Sequence, residues 1–178
     1  MTQEPHLSAG AGLEPERDRF AEIYADQHRQ LFRLTLLLTG GDRCLSEDVV
    51  GQVFLATLPK WRNGTVAEPA SYMRRSVVNQ VNGTFRRRHT ERRSAHRVAE
   101  RGEEAVTSEG AVDDRDLLWS ALRALPAKQR SAVVLRYYED LSELETARVL
   151  GVTVGTVKSQ TARGLAKLRN ALGELDNG

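Results

Sequence analysis

Residues 141–169 read LSELETARVLGVTVGTVKSQTARGLAKLR, and this stretch predicts two helices separated by a short turn. Ser142 and Glu145 fit a capping box, in which each side chain bonds the backbone N–H of the other residue. Gly151 stands where a left-handed residue ends the first helix, and Thr153 is a candidate N-cap for the second. The layout is typical of a helix-turn-helix, whose second helix enters the major groove of DNA.

The second helix of this stretch has an apolar side and a polar side. Its apolar side follows from steps of three and four residues, through Val154, Val157, Thr161, Gly164, Leu165, Leu168 and Leu172. The polar side carries hydroxyl, amide and cationic groups suited to base edges and phosphates, on Thr156, Lys158, Ser159, Gln160 and Arg163. An ordinary amphipathic surface helix is the alternative interpretation. The glycine turn and the scarcity of acidic residues favour DNA binding.

Composition excludes several other classes of protein. A chain of 178 residues with 40% hydrophobic content forms one domain or two small ones. The single cysteine, Cys44, suits a reducing cytoplasm, and we expect it to be buried or half-buried. No segment is apolar enough to span a bilayer, and the first residues lack the features of a signal peptide. The four histidines show no metal-ligand spacing, so we expect no cofactor. We also expect a cytoplasmic protein that is not an enzyme.

Helical periodicity dominates the chain and predicts an all-α fold of two small bundles joined by a flexible linker. The first bundle should hold helices over Arg17–Leu38, from Ser46, and over Pro69–Arg88, with Pro59 marking a loop. The linker is expected where acidic residues replace basic ones along the chain. The predicted boundaries are a tail at 1–16, a first domain at 17–98, an acidic linker at 99–115, a second domain at 116–173 and a tail at 174–178.

Nine arginines lie between Tyr72 and Arg101, opposed by Glu91 and Glu100 alone. Such a local field indicates a phosphate backbone as partner. Amide side chains share the same predicted helix, and Trp61 and Phe85 could stack on unpaired bases, although both also fit positions in a core. The charge alone does not distinguish DNA from RNA as the partner.

Two parts of the chain resemble the extracytoplasmic-function (ECF) sigma factors of bacterial RNA polymerase, in their actinobacterial form. Region two of that family is similar to about Phe20–Arg93, which includes FAEIYADQHRQLFRLTLLLTGG and PASYMRRSVVNQVNGTFRRR. Region four is similar to about Leu117–Leu172, where LPAKQRSAVVLRYYEDLS precedes the helix-turn-helix. The resemblance implies two helical domains that bind core polymerase and direct it to promoters.

The resemblance also implies roles for individual residues. The residues that it implies for binding to the clamp of the largest polymerase subunit are Glu47, Asp48, Val50, Gln52, Val53 and Phe54. The residues that it implies for capture of the opened minus-ten strand are Trp61, Tyr72, Arg74, Arg75, Asn79, Asn82, Arg86, Arg87 and Arg88. The residues that it implies for reading the minus-thirty-five element in the major groove are Thr156, Lys158, Ser159, Gln160 and Arg163. Arg136 and Lys167 are the implied phosphate contacts. The polymerase flap and an anti-sigma factor are further implied partners.

The chain departs from the family pattern at two places. Family members often have glutamine and then glutamate where this chain has Gly51 and Gln52, and the loss of a carboxylate could retune polymerase docking. Gln160 replaces a common arginine of the recognition helix; glutamine pairs with adenine where arginine pairs with guanine. We therefore expect an altered minus-thirty-five sequence.

Two other functions compete with this interpretation. A stand-alone helix-turn-helix regulator would carry a sensor or receiver domain, which the first half of the chain does not suggest. An enzyme acting on nucleic acid would need a carboxylate cluster for metal ions. The acidic residues here are concentrated in the predicted linker, which is a poor scaffold for such a cluster.

Overall fold

The computed structural model describes residues 13–96 and 114–173, and every element within those ranges is a helix or a connecting turn. The all-α prediction is confirmed. The predicted acidic linker lies almost entirely outside the described residues. The helices are α1 (Leu13–Thr39), α2 (Arg43–Arg62), α3 (Pro69–His96), α4 (Asp114–Ala124), α5 (Ala127–Tyr137), α6 (Glu143–Leu150) and α7 (Val154–Gly173).

Helix α2 begins earlier and ends later than the sequence pattern predicted. Its N-cap is Asp42, whose side chain accepts a hydrogen bond from the Leu45 N–H at 2.9 Å. Ser46, the predicted start, is instead buried, and its hydroxyl donates to the Asp42 carbonyl at 2.6 Å. Pro59 lies inside the helix rather than in a loop, because the following turn still closes with the Asn63 N–H bonded to the Pro59 carbonyl at 3.1 Å.

Helices α1, α2 and α3 enclose one hydrophobic core, which we call the region-two bundle. In each of the three helices, apolar residues recur at helical spacing and so form one apolar side. The three apolar sides meet in this core. The buried members are Leu31, Leu34 and Leu38 of α1, Val49, Val50, Val53 and Phe54 of α2, and Met73, Val77, Val78 and Val81 of α3.

Helices α4 to α7 form the second bundle, the region-four bundle, in which α5 packs against α7. The two helices approach closely at Gly164, where an added Cβ would lie 2.7 Å from Val133 Cγ2 and 3.3 Å from the Gln129 carbonyl oxygen. Glycine is therefore the residue that permits this crossing. Val157, about two turns towards the N-terminus of α7, is also buried and is 1% exposed.

The two bundles also contact each other. Helix α5 packs against α1 and α3, and α6 packs against α3. Val134 and Leu135 of α5 belong to the same buried cluster as the core of the region-two bundle. The described residues therefore form one joined body, an arrangement that periodicity within each helix does not predict.

We predict that Gly164→Ala and Gly51→Ala have different effects on stability. An alanine in a helix is favoured over glycine by about 1 kcal/mol, and a Cβ at Gly51 meets no atom within 4 Å. At Gly164 the Cβ overlaps Val133, and overpacking of this kind costs about 1–3 kcal/mol. In urea denaturation, the free energy of unfolding of Gly164→Ala should be lower than that of Gly51→Ala by about 1–3 kcal/mol. Equal stabilisation by both substitutions would contradict the close crossing of α5 and α7.

Candidate nucleic-acid and polymerase interfaces

The first helix of the predicted helix-turn-helix, α6, begins at the capping box that the sequence indicates. The Glu145 N–H donates to Ser142 Oγ at 3.2 Å, and the Ser142 N–H donates to Glu145 Oε2 at 2.8 Å. Hydrogen bonds to the Glu145 carboxyl from the Ser142 side chain and from the Ser142 backbone N–H lower its pKa. The carboxylate therefore contributes stability above its unfolded pKa, and that contribution is lost as the pH falls through the folded pKa. Gly151, with φ of 65°, ends the helix as predicted.

The second helix, α7, begins at Val154, and Thr153 caps it as predicted. The Thr156 N–H donates to Thr153 Oγ1 at 3.1 Å, and the two threonine hydroxyls lie 2.9 Å apart. The Ser159 hydroxyl donates to the Thr156 carbonyl at 3.0 Å. The hydroxyls of two predicted reading residues therefore take part in local bonds that stabilise the first turns of α7.

The predicted reading side of α7 faces solvent over most of its length. Lys158, Ser159, Arg163 and Lys167 are exposed, whereas Thr156 and Gln160 are half-buried. The hydroxyl and the cations of this side face solvent, so it is available to a polyanion.

Two predicted cationic contacts also hold the motif together. Lys158 Nζ lies 3.5 Å from Glu143 Oε2, which links α7 to the start of α6. Arg136 is half-buried, and its guanidinium donates to the Leu141 carbonyl in the connection between α5 and α6. Arg136 thus has a structural role beside the phosphate contact that the resemblance implies.

The residues predicted to capture the minus-ten strand divide into three groups. Arg75, Asn79, Arg86, Arg87 and Arg88 are exposed on α3. Trp61 and Tyr72 are half-buried where α2 approaches α3. Arg74 and Asn82 form the third group, because both are bonded to the region-four bundle. A cationic, partly aromatic surface is therefore present on α3, with two of its predicted members bonded to region four, of which Arg74 keeps 36% of its side chain exposed.

Tyr72 is positioned by a lysine at the end of α2. Lys60 Nζ donates to the Tyr72 hydroxyl at 2.5 Å and lies 5.1 Å from the centroid of its ring. This hydrogen bond lowers the pKa of Tyr72, and the charge of Lys60 lowers it further. Lys60 was not among the predicted contacts, since its sequence context shows only a solvated charge; its contact with the ring makes it a candidate for the same surface.

The predicted polymerase-binding set requires a correction. Glu47, Asp48 and Gln52 are exposed on α2. Val50, Val53 and Phe54 lie in the hydrophobic core and are at most 4% exposed, so in this structure they support the surface of α2 from within. The reason is that the same residues form the apolar stripe by which α2 packs on α1 and α3.

Sequence reasoning missed Leu55, which is 75% exposed on α2 beside the exposed acidic and amide residues. A leucine at this position indicates a contact surface, since large apolar side chains so exposed often mark interfaces. The signal was available: Leu55 lies about 100° from Phe54 and about 140° or more from Val50 and Val53 around the helix, so it is on the side away from the buried stripe.

Three structural findings concern other predictions. Cys44 is exposed, because it lies in the first turn of α2 on the side away from the core; the expectation of burial was wrong. Within the described residues, no group of three or more His, Cys, Asp or Glu could hold a metal ion. None of the described helices combines the length and the apolar character needed to cross a membrane.

Comparison with known proteins identifies the family. Residues 115–168 match the family described as "Sigma-70, region 4". The chain is 36% identical over 128 residues to the RNA polymerase sigma-E factor of Streptomyces coelicolor, covering 71% of each protein. It is 33% identical over 169 residues to the ECF RNA polymerase sigma factor SigM of Mycobacterium tuberculosis, covering 92% of this chain and 82% of the relative. The chain belongs to the ECF sigma factors of bacterial RNA polymerase.

The fold of this ECF sigma factor is shared with a solved structure. The sigma factor RpoE of Bartonella quintana, determined in complex with the anti-sigma factor NepR, superposes with a TM-score of 0.65 at 21% identity. The match covers 87% of this chain and 97% of that chain. The protein is therefore a factor for promoter-directed transcription, in a family of non-enzymatic initiation factors, and the stand-alone regulator is not favoured.

We predict that Ser142→Ala weakens the helix-turn-helix of this sigma factor. Loss of an N-cap side chain costs about 1 kcal/mol of stability, and here it removes the acceptor of the Glu145 N–H, while the Ser142 N–H still bonds the Glu145 carboxylate. Ser142→Asp keeps an oxygen acceptor at the cap and should retain most of the stability. Thermal unfolding of the two variants measures the difference. A loss in Ser142→Asp as large as that in Ser142→Ala would show that the cap does not stabilise α6.

Proposed function

We propose that this ECF sigma factor binds core RNA polymerase through the exposed face of α2 and recognises two promoter elements with its two bundles. The predicted domain boundaries place region two at 17–98 and region four at 116–173. In this proposal region two recognises the minus-ten element and region four the minus-thirty-five element. In this proposal Glu47, Asp48, Gln52 and Leu55 contact the clamp of the largest subunit. The exposure of a large leucine among polar residues on one helical face supports this assignment.

Region four reads the minus-thirty-five element in the major groove with α7. The observation that carries this proposal is the exposed side of α7, where Lys158, Ser159, Arg163 and Lys167 face solvent. Thr153 caps this helix, and Ser142 caps the preceding helix α6. Cations bind phosphates and set the register, while side chains near the N-terminus of such a helix contact base edges. Gln160, half-buried beside them, is proposed to select adenine.

Region two captures the opened minus-ten strand on α3. Exposed arginines supply the electrostatic attraction, Asn79 can hydrogen-bond a base edge, and the Lys60–Tyr72 pair offers a ring for stacking. An unstacked base gains contacts there that a stacked base lacks, so capture stabilises the melted promoter without covalent chemistry. The protein is accordingly proposed to act in the cytoplasm, without a cofactor and without catalysing a reaction.

An anti-sigma factor and the polymerase flap are proposed as further partners. The Bartonella relative was determined in complex with an anti-sigma factor, and the shared fold supports a comparable partner for this chain. Exposed apolar side chains of region four, Tyr137, Tyr138 and Leu144, suit a protein contact of this kind.

Reconstituted transcription tests the proposed function directly. Purified protein, bacterial core polymerase and a library of promoter sequences should yield start sites that share one minus-ten and one minus-thirty-five motif. Folded protein with active core polymerase but no specific start sites would contradict the proposal.

We predict that Gln160→Arg changes the preferred base in the minus-thirty-five element from adenine to guanine. A good bidentate pair discriminates by about 1–3 kcal/mol against the wrong base, so selection among variant promoters should shift by roughly tenfold or more at one position. Sequencing of the selected promoters measures the shift. An unchanged base preference would remove Gln160 from the reading set.

We predict that Lys158→Ala weakens DNA binding uniformly across sequences. One phosphate contact contributes about 0.9 to the slope of log affinity against log salt, so the slope should fall by about 1. Lys128→Ala, an exposed lysine at the start of α5, is the matched control and should leave the slope unchanged. Equal slopes for wild type and Lys158→Ala would show that Lys158 serves only its ion pair with Glu143.

A further inference from the structure

A row of residues runs along α3 between its buried stripe and its exposed arginines. The row lies within about 80° of helix surface at ~100° per residue and consists of Tyr72, Ser76, Gln80, Gly83 and Arg87. It extends over about 22 Å at ~1.5 Å per residue. Arg87 is exposed, and the other members are half-buried. The proposed strand contacts include the two ends of the row, so its middle has no assigned role.

Gly83 leaves a notch in this row. It lies in the interior of the 28-residue helix α3, where glycine is the least favourable residue apart from proline. A Cβ built at Gly83 meets nothing within 4 Å beyond its own stretch of helix, although the residue is half-buried. The crossing of α5 and α7 requires Gly164, but no packing contact among the described residues requires Gly83. The space beside its backbone is therefore free for a group from outside the chain.

Gln80, one turn before Gly83, has a buried oxygen without a hydrogen bond. Its side-chain Oε1 accepts from no donor in the part of the chain that the structure describes. A buried acceptor left unbonded lowers stability. Positions three residues apart on a helix are neighbours on its surface. Rotation about the side-chain bonds of Gln80 therefore brings its amide to the notch, where a donor on a ligand can bond the oxygen.

The two ends of the row carry groups that suit a nucleic-acid strand. Lys60 Nζ lies 2.5 Å from the Tyr72 hydroxyl and 5.1 Å from the ring centroid. The ammonium group is therefore beyond the hydroxyl edge of the ring and covers neither of its faces, on which a base can stack. At the other end, the exposed cations Arg86, Arg87 and Arg88 can bind phosphates. A strand that follows the row from one end to the other passes over Gly83.

We propose that Gly83 and Gln80 form a subsite for one nucleotide of the opened minus-ten strand, and that the base held there is adenine. This inference rests on the proposed function of α3 and assigns two residues that the function did not use. The sugar–phosphate backbone lies against the helix at Gly83, where any side chain would hold it away. An unpaired base presents all of its edges. The Gln80 amide accepts from the amino group of adenine and donates to a ring nitrogen, which is the pairing by which glutamine selects this base.

Gly83→Ala tests the notch, and Gly51→Ala is its matched control. Each adds one methyl group to a helical glycine with open space beside it, so both should raise the midpoint of urea denaturation. Strand binding is measured on purified holoenzyme, assembled from the full-length protein and core polymerase. The probe is a labelled single-stranded oligonucleotide with the minus-ten motif selected in the transcription assay, and anisotropy reports its binding. We expect Gly83→Ala to weaken binding at least tenfold relative to Gly51→Ala.

Gln80→Leu tests the base contact. It removes an unbonded buried oxygen, so it should not lower stability. Each adenine of the oligonucleotide is replaced in turn by purine, which lacks the amino group. At one position we expect the replacement to weaken binding to the wild type about tenfold and to have no further effect on Gln80→Leu. Gln27→Leu, the same change in α1, should respond to the replacement as the wild type does.

Equal strand binding by Gly83→Ala and Gly51→Ala would overturn the inference. A lower urea midpoint for Gly83→Ala would also overturn it, because the glycine would then serve the fold. Adenine replacements that weaken binding to Gln80→Leu as much as to the wild type would have the same consequence.

The proposed function of α3 is tested separately in the same holoenzyme assay by Asn79→Ala and Arg86→Ala. Weaker binding by these two variants, with unchanged binding by Gly83→Ala and Gln80→Leu, would remove the inference and leave the proposed function intact. Unchanged binding by all four variants would overturn the proposed function of α3, and the inference with it.

Discussion

The packing of α5 is the constraint on which the rest of the structure depends. Its sequence AKQRSAVVLRY is short, yet Arg130 to Leu135 are all buried. A helix buried this completely must have neighbours on more than one side. On one side it meets α7 at Gly164, and on the other it meets α1 and α3. The orientation of the recognition helix relative to the region-two bundle therefore follows from how α5 sits between them.

The contacts across the two bundles use the same chemistry that suits nucleic acid. Arg74 binds a carboxylate where it could bind a phosphate, and Asn82 accepts from a serine hydroxyl where it could bond a base edge. A surface built for a polyanion offers good partners to acidic and polar side chains of the same chain, because both kinds of ligand satisfy the same donors and acceptors. Compactness of the protein and exposure of the proposed strand-binding residues are thus opposing demands on one helix face.

The sequence was most informative where structure depends on neighbouring residues. The capping box at Ser142, the left-handed Gly151 and the cap at Thr153 are local features, and each appears as the pattern indicates. It was less informative at the ends of α2: Asp42 competes with Ser46 as a cap, and a helix can pass through Pro59 near its end. The assignment of Val50, Val53 and Phe54 to polymerase binding placed buried residues in an exposed role.

The all-α class, the helix-turn-helix, the basic character of α3 and the family of the chain can all be read from the order of its residues. These follow from periodicity, caps and charge, which are properties of short segments. Only the tertiary fold shows that Arg74 and Asn82 are bonded to region four. Those outcomes depend on contacts between residues as far apart as Asn82 and Ser131, and no local pattern encodes which distant surfaces will meet.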